Sequence, residues 1–174
     1  MDEIKLATEN EADEILRLYD EAVEWMVANG NTSQWGTEPL SKNETFAERV
    51  KCWLRAKRSY LGLLDGRIVG FVALSTETPE YIGTLKTLVK VPSYYVVGLI
   101  SDRNMKGNGI GKILLHYADK IAHEQKHKAI YLDCWSGSAK LPEYYENNGY
   151  ERLASFEVGK WPGVLMEKQL TTME

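Results

Sequence analysis

The sequence predicts a mixed α/β fold, and three observations carry that reading. Apolar residues recur at helical spacing in four stretches. Between these stretches lie short apolar or alternating runs of strand type. Two of the strongest, "YYVVGLIS" (94–101) and "AIYLDCW" (129–135), flank one helical stretch, as in a parallel pair joined by a crossover helix. The expected order is βααββββαβαββ, or close to it.

"IKLA" (4–7) is a short strand. Thr8 and Glu11 then stand at capping-box spacing and open a helix through Ile15, Leu18, Tyr19, Ala22, Val23 and Met26, which stops near Asn29-Gly30. Ser41 and Glu44 form a second box before a helix through Phe46, Val50, Trp53 and Leu54. "SYLGLLDGRIVGFVALS" (59–75) is a hairpin turned at Asp65-Gly66, a pair suited to type I′ angles. Residues 76–92, rich in Thr and Lys with Pro79 and Pro92, are irregular or hold one short strand. After "YYVVGLIS" comes a glycine-rich turn, then a helix to about His127. "AIYLDCW", a short helix in "KLPEYYENN" ended by Gly149, and the strands "YERLASFEV" and "GVLMEKQL" complete the chain.

The 174 residues suit a single domain, 1–174, and 44% hydrophobic with 26% charged residues is an ordinary globular composition. The opening "MDEIKLATENEADEIL" is acidic and polar and reads as no secretory signal. No apolar run reaches the roughly 20 residues of a membrane span. Cys52 and Cys134 lie far apart in unlike contexts, which fits a reducing, cytoplasmic setting. A net charge of −4 argues against nucleic acid as a partner. The first fifty residues hold twelve Asp/Glu against four Lys/Arg, either a solvated helix face or an acidic approach for a cationic substrate.

"MKGNGIGKILLHYADKI" (105–121) sets Gly107, Gly109 and Gly111 against the start of a helix. A helix's first turn presents unpaired N–H groups and a partial positive charge, and glycine lets an anion approach them. Lys106 and Lys112 add formal charge. A P-loop is excluded because Lys106 stands where the first glycine belongs and Ile113 where the hydroxyl belongs. A dinucleotide fingerprint is excluded because Lys112 or Leu114 occupies its third glycine. An acid about twenty residues on, Asp133, does not rescue it, since too few βα units remain.

"KGNGIGKILL" resembles the acetyl-CoA motif of the GNAT acetyltransferases, Gln/Arg-x-x-Gly-x-Gly/Ala, with Gly109 and Gly111 as its glycines. "LDCWSGSAKLPEYYENNGY" (132–150) is similar to the family's next strand and helix, "LLDGRIVGFVAL" to its central hairpin and "GVLMEKQL" to its closing strand. The resemblance covers most of residues 4–170. It implies a twisted mixed sheet of six or seven strands flanked by about four helices. It also implies acetyl-CoA as cosubstrate, without a metal. The fourth and fifth strands would splay, with pantetheine against the backbone of Leu99, Ile100 and Ser101. The pyrophosphate would lie on the turn formed by Lys106, Gly107, Asn108, Gly109, Ile110, Gly111 and Lys112, where about six backbone groups face it. Ser138 and Leu141 would complete the cofactor contacts.

The implied reaction is direct acetyl transfer to a primary amine of a small molecule or peptide. An alkylammonium near pKa 10.4 must first lose a proton. An N–H in the opened strand would stabilise the oxyanion. Tyr145 matches the family's general-acid tyrosine, while Tyr144 is assigned to packing. Three departures stand out: Lys106 replaces Gln/Arg, Ser138 replaces Asn, and "YYVVGLIS" carries no carboxylate to act as base. Glu77, Glu80, Glu24 or a relayed water remain candidates for the base. The missing base also motivates a second reading, a GNAT-fold acyl-CoA sensor without turnover. Trp25, Trp35 and Glu24 fall where the family's acceptor pocket has one wall. Partners beyond the acceptor are neither nucleic acid nor membrane, and the chain is a monomer or homodimer. "HEQKH" (123–127) has the zinc-protease spacing, but on the polar face of a helix end, shared with His116 and Asp119, and no fourth histidine exists as third ligand. Cys134, amid Leu132 and Trp135, reads as a packed thiol rather than a nucleophile.

Overall fold

Seven strands and four α-helices follow one another in the computed structural model, which describes residues 1–171. In chain order they are β1 (Glu3–Leu6), α1 (Ala12–Ala28), α2 (Glu44–Arg55), β2 (Ser59–Leu64) and β3 (Arg67–Ser75). Then come β4 (Ser93–Ser101), α3 (Ile110–Glu124), β5 (Ala129–Trp135), α4 (Lys140–Glu146), β6 (Glu151–Val158) and β7 (Trp161–Gln169). The strands are ordered β1-β2-β3-β4-β5-β7-β6. β4 and β5 pair in parallel, Ser93 with Ala129 through Val96 with Leu132, so the expected crossover around α3 is present. The chain clusters into two compact units. One comprises Met1–Leu74 and Gly98–Leu114; the other comprises Ser75–Val97 and the chain from Leu115 onward.

In the first unit, Thr8 and Glu11 form the expected capping box, with Thr8 N and Oγ1 both donating to Glu11 Oε2 at 2.7 Å. It opens a 3₁₀ turn at residues 9–11 before α1 begins. The apolar stripe of α1, Ile15, Leu18, Tyr19, Ala22, Val23 and Met26, is buried as its spacing predicts. An aromatic row links Tyr19, Phe46, Trp53 and Phe71, with successive ring centroids 5.0, 6.1 and 6.4 Å apart. The cap of α2 differs from expectation. Residues 40–42 form a 3₁₀ turn, and Asn43 rather than Ser41 caps the helix, its Oδ1 accepting from Phe46 N at 3.0 Å. The β2–β3 hairpin turns at Asp65 (φ 49°) and Gly66 (φ 77°), the type I′ pair expected.

In the second unit, residues 80–88 form a 3₁₀ run kinked at Gly83, where the sequence suggested irregular chain or a strand. Its Ile82 joins Tyr95, Ala129, Tyr131 and Leu165 in a core, flanked by Leu85, Val89, Val97 and Phe156. This run thereby covers one face of β4 and β5. β7 pairs antiparallel with β5 from Gln169–Ala129 to Gly163–Trp135, and β6 pairs with β7 outside it.

Candidate active site

The glycine turn of the first unit is rooted on β3. Asp102, 1% exposed, donates its N–H to Val69 O at 2.8 Å, and its Oδ1 accepts from Asn104 N at 2.9 Å. Arg67 Nη2 lies 3.7 Å from Oδ2. Past this root the chain turns outward. Gly107 (φ 88°) and Gly109 (φ 69°) both adopt the left-handed region, and a Cβ at either would meet no atom within 4 Å. These glycines serve backbone conformation and an open approach, not tight packing.

The first bond into the helix runs from Ile113 N to Gly109 O at 3.0 Å. The amides ahead of it, on Ile110, Gly111 and Lys112, have no intrahelical acceptor and carry the helix's positive end. Lys106 N and Asn108 N bond inward instead, to Arg103 O and Met105 O at 3.3 and 3.2 Å. The turn 106–112 therefore engages two of its own amides. Its side chains suit a diphosphate, since Lys106 and Lys112 are exposed and no carboxylate occurs between them.

The helix start is seated on the sheet by a close approach. A Cβ on Gly70 would lie 2.7 Å from Ile110 Cγ2 and 2.8 Å from Leu114 Cδ1, and both side chains are buried. Gly70→Val must push the first turn of α3 away from β3. Overpacking of this kind costs about 1–3 kcal/mol. A lowered Tm together with weaker coenzyme A binding is expected; a variant with both values unchanged would show the seat to be loose.

Trp25 stacks on this turn. Arg103 Cζ lies 3.7 Å from its ring centroid and Lys106 Nζ lies 4.9 Å from it. Burial lowers the Arg103 pKa. Such stacking holds cationic side chains in place beside the cradle. Trp35 instead packs on Tyr19, with centroids 5.5 Å apart, and Glu24 is exposed on α1. On β4, Ile100 is buried while Leu99 and Ser101 are half-buried.

The second unit carries the remaining predicted residues. Tyr145 is half-buried on α4, its ring 5.3 Å from that of Tyr144 and 6.0 Å from that of Tyr150. Tyr144, assigned to packing, is 37% exposed, and burial raises its pKa. Ser138 lies two residues before α4; its Oγ accepts from Lys140 N at 3.3 Å, and Leu141 sits half-buried in the helix's first turn. Cys134 is buried with Sγ 3.9 Å from Met166 Sδ, and burial pushes its thiol up to about 12. It is an inert packing residue. A maleimide applied to the native protein should label exposed Cys52 and spare Cys134; equal labelling would contradict this burial.

"HEQKH" is not one helical face. α3 ends at Glu124, Lys126 is left-handed (φ 61°), and His127 packs against Tyr94 at 4.2 Å. Among the described residues no group of three His, Cys, Asp or Glu is placed to hold a metal. Among them, too, no helix is long and apolar enough to cross a membrane.

The family model for the acetyltransferase (GNAT) family matches residues 18–150, and the chain belongs to that family. No curated protein sequence matches the chain. Solved structures share its fold. An acetyltransferase of the GNAT family from Listeria monocytogenes 4b F2365 superposes with a TM-score of 0.75 at 19% identity, covering 97% of this chain and 94% of that one. The PaiA N-acetyltransferase from Thermoplasma acidophilum, in complex with coenzyme A, gives 0.73 at 17% identity, covering 96% and 98%. An aminoglycoside 6'-N-acetyltransferase complexed with coenzyme A gives 0.67 at 16% identity, covering 99% of each chain.

Proposed function

We propose that this protein is an acetyl-CoA-dependent N-acetyltransferase, acting as one domain on a primary amine of a small molecule or peptide. The observation that carries the reading is the turn before α3. It pairs two left-handed glycines, open to solvent, with the first-turn amides of Ile110, Gly111 and Lys112, which have no intrahelical acceptor, in a chain of the GNAT family. That arrangement suits a diphosphate. Acetyl-CoA would supply the activated acetyl group. Lys106, Lys112 and the Trp25-stacked Arg103 add positive charge around the turn. Backbone of Leu99–Ser101 is the proposed pantetheine contact, with Ser138 and Leu141 as further cofactor contacts. Tyr145 is the proposed donor of a proton to the departing sulfur. Both cysteines are free, in keeping with a reducing compartment such as the cytoplasm.

The test is release of free coenzyme A from acetyl-CoA over a panel of primary amines, with calorimetric binding of acetyl-CoA measured alongside. Binding together with amine-dependent release is expected. Binding with no release for any amine would support the sensor reading instead, and no binding would refute both.

A further inference from the structure

The three carboxylates considered as base from sequence are all solvated. Glu80 pairs with Lys86 and its side chain is 94% exposed, while Glu77 and Glu24 are exposed as well. A different carboxylate is held in place. Asp133, the sole acid of the apolar strand β5, receives hydrogen bonds at Oδ2 from Tyr95 OH at 2.5 Å and from Tyr81 OH at 2.7 Å. Both tyrosine bonds end on one oxygen. Asp133 is half-buried rather than enclosed. Tyr81, 47% exposed, comes from the 80–88 run, and its ring lies 6.1 Å from that of Phe156. Phe156 in turn lines an open groove of about 430 Å³ with Ser136, Ser155, Glu157, Pro162 and Gly163. The carboxylate thus stands where the apolar core of this unit meets an accessible aromatic and acidic surface.

From this geometry we infer that Asp133 is the group that takes the proton from the acceptor ammonium, with Tyr81 and Tyr95 as its positioning residues. The inference rests on the N-acetyltransferase reading above. One proton passes from the ammonium to Asp133 Oδ1, freeing the nitrogen lone pair. The N–C bond to the acetyl carbon forms and the C–S bond breaks. Tyr145 gives its proton to the sulfur and recovers one from the acetylated nitrogen. Asp133 returns its proton to water, so one amide, one thiol and one proton leave the site.

The electrostatics fit this task. Burial pushes the Asp133 carboxyl up from its ordinary value, while the bonds from Tyr95 and Tyr81 pull it down, and the net shift is upward. A base whose pKa lies closer to the working pH takes a proton more readily. The titratable groups facing it are Tyr81 from the 80–88 run, Tyr95 from β4 and the neighbouring Cys134; its cross-strand partner on β7, Leu165, is neutral. The carboxylate form is the active one, so kcat/KM rises with pH through this group's titration.

The experiment compares Asp133→Asn and Tyr81→Phe with wild type over the amine panel. An Asn carbonyl still accepts from both tyrosines, so a purely structural role survives the change while a basic one does not. Asp133→Asn should lower kcat/KM about 100-fold, with acetyl-CoA affinity and Tm within error of wild type. Tyr81→Phe removes one bond to the carboxylate and should move the acidic limb of the kcat/KM profile to higher pH. Wild-type turnover in Asp133→Asn, or an acidic limb unmoved in Tyr81→Phe, overturns the role of Asp133 and leaves the acetyltransferase reading standing. Absence of turnover in wild type with every amine overturns both.

Discussion

Gly109→Asp is expected to weaken acetyl-CoA binding about a thousandfold, and Gly109→Asn far less. Gly109 sits at φ 69° immediately before α3, and its side-chain position is open. Asn and Asp are the residues that best tolerate the left-handed region, so both variants carry similar backbone costs. They differ in one charge. A carboxylate about 4 Å from a phosphate repels it by roughly 4 kcal/mol at an effective dielectric near 20. That corresponds to about three orders of magnitude in affinity. Calorimetry on the two folded variants separates the effects. Equal affinities for Asp and Asn would mean that no anion approaches this turn.

Tyr145→Phe should lower kcat about a thousandfold and leave acetyl-CoA affinity nearly intact. The ring is half-buried against Tyr144 and Tyr150, and phenylalanine preserves that packing. What is lost is the proton for the departing sulfur, and general acids contribute about 10²–10⁴ to rate. An acetyl thioester with a more acidic thiol needs that proton less and should recover part of the loss. Unchanged kcat at saturating substrate would remove the assigned role.

The parts of this molecule legible in the sequence are those fixed by neighbours along the chain. The Thr8–Glu11 box, the Asp65-Gly66 turn and the α1 stripe each depend on a few consecutive residues, and all three occur as read. The sequence places the α2 cap at Ser41, although Asn43 also has a capping side chain. Asn43 takes the position because its carbonyl reaches the Phe46 amide. The 76–92 segment offers too little periodicity to reveal a 3₁₀ run, which gains its order by placing Ile82 in a core built from β4, β5 and β7.

Less legible were roles set by distant partners. The stacking of Trp25 on Arg103 could not be read locally, because it depends on tertiary contact. Asp133 was visible as an acid in an apolar strand. Its tyrosines lie 38 and 52 positions away in the chain, however, so nothing local announced that its carboxylate would be held. The HExxH spacing erred the other way, since a left-handed Lys126 ends the helical path before the second histidine.

A crystal structure with coenzyme A bound should show pyrophosphate oxygens about 2.7–3.2 Å from the amides of Ile110, Gly111 and Lys112. A pyrophosphate bound elsewhere, with those amides still facing solvent, would contradict this placement.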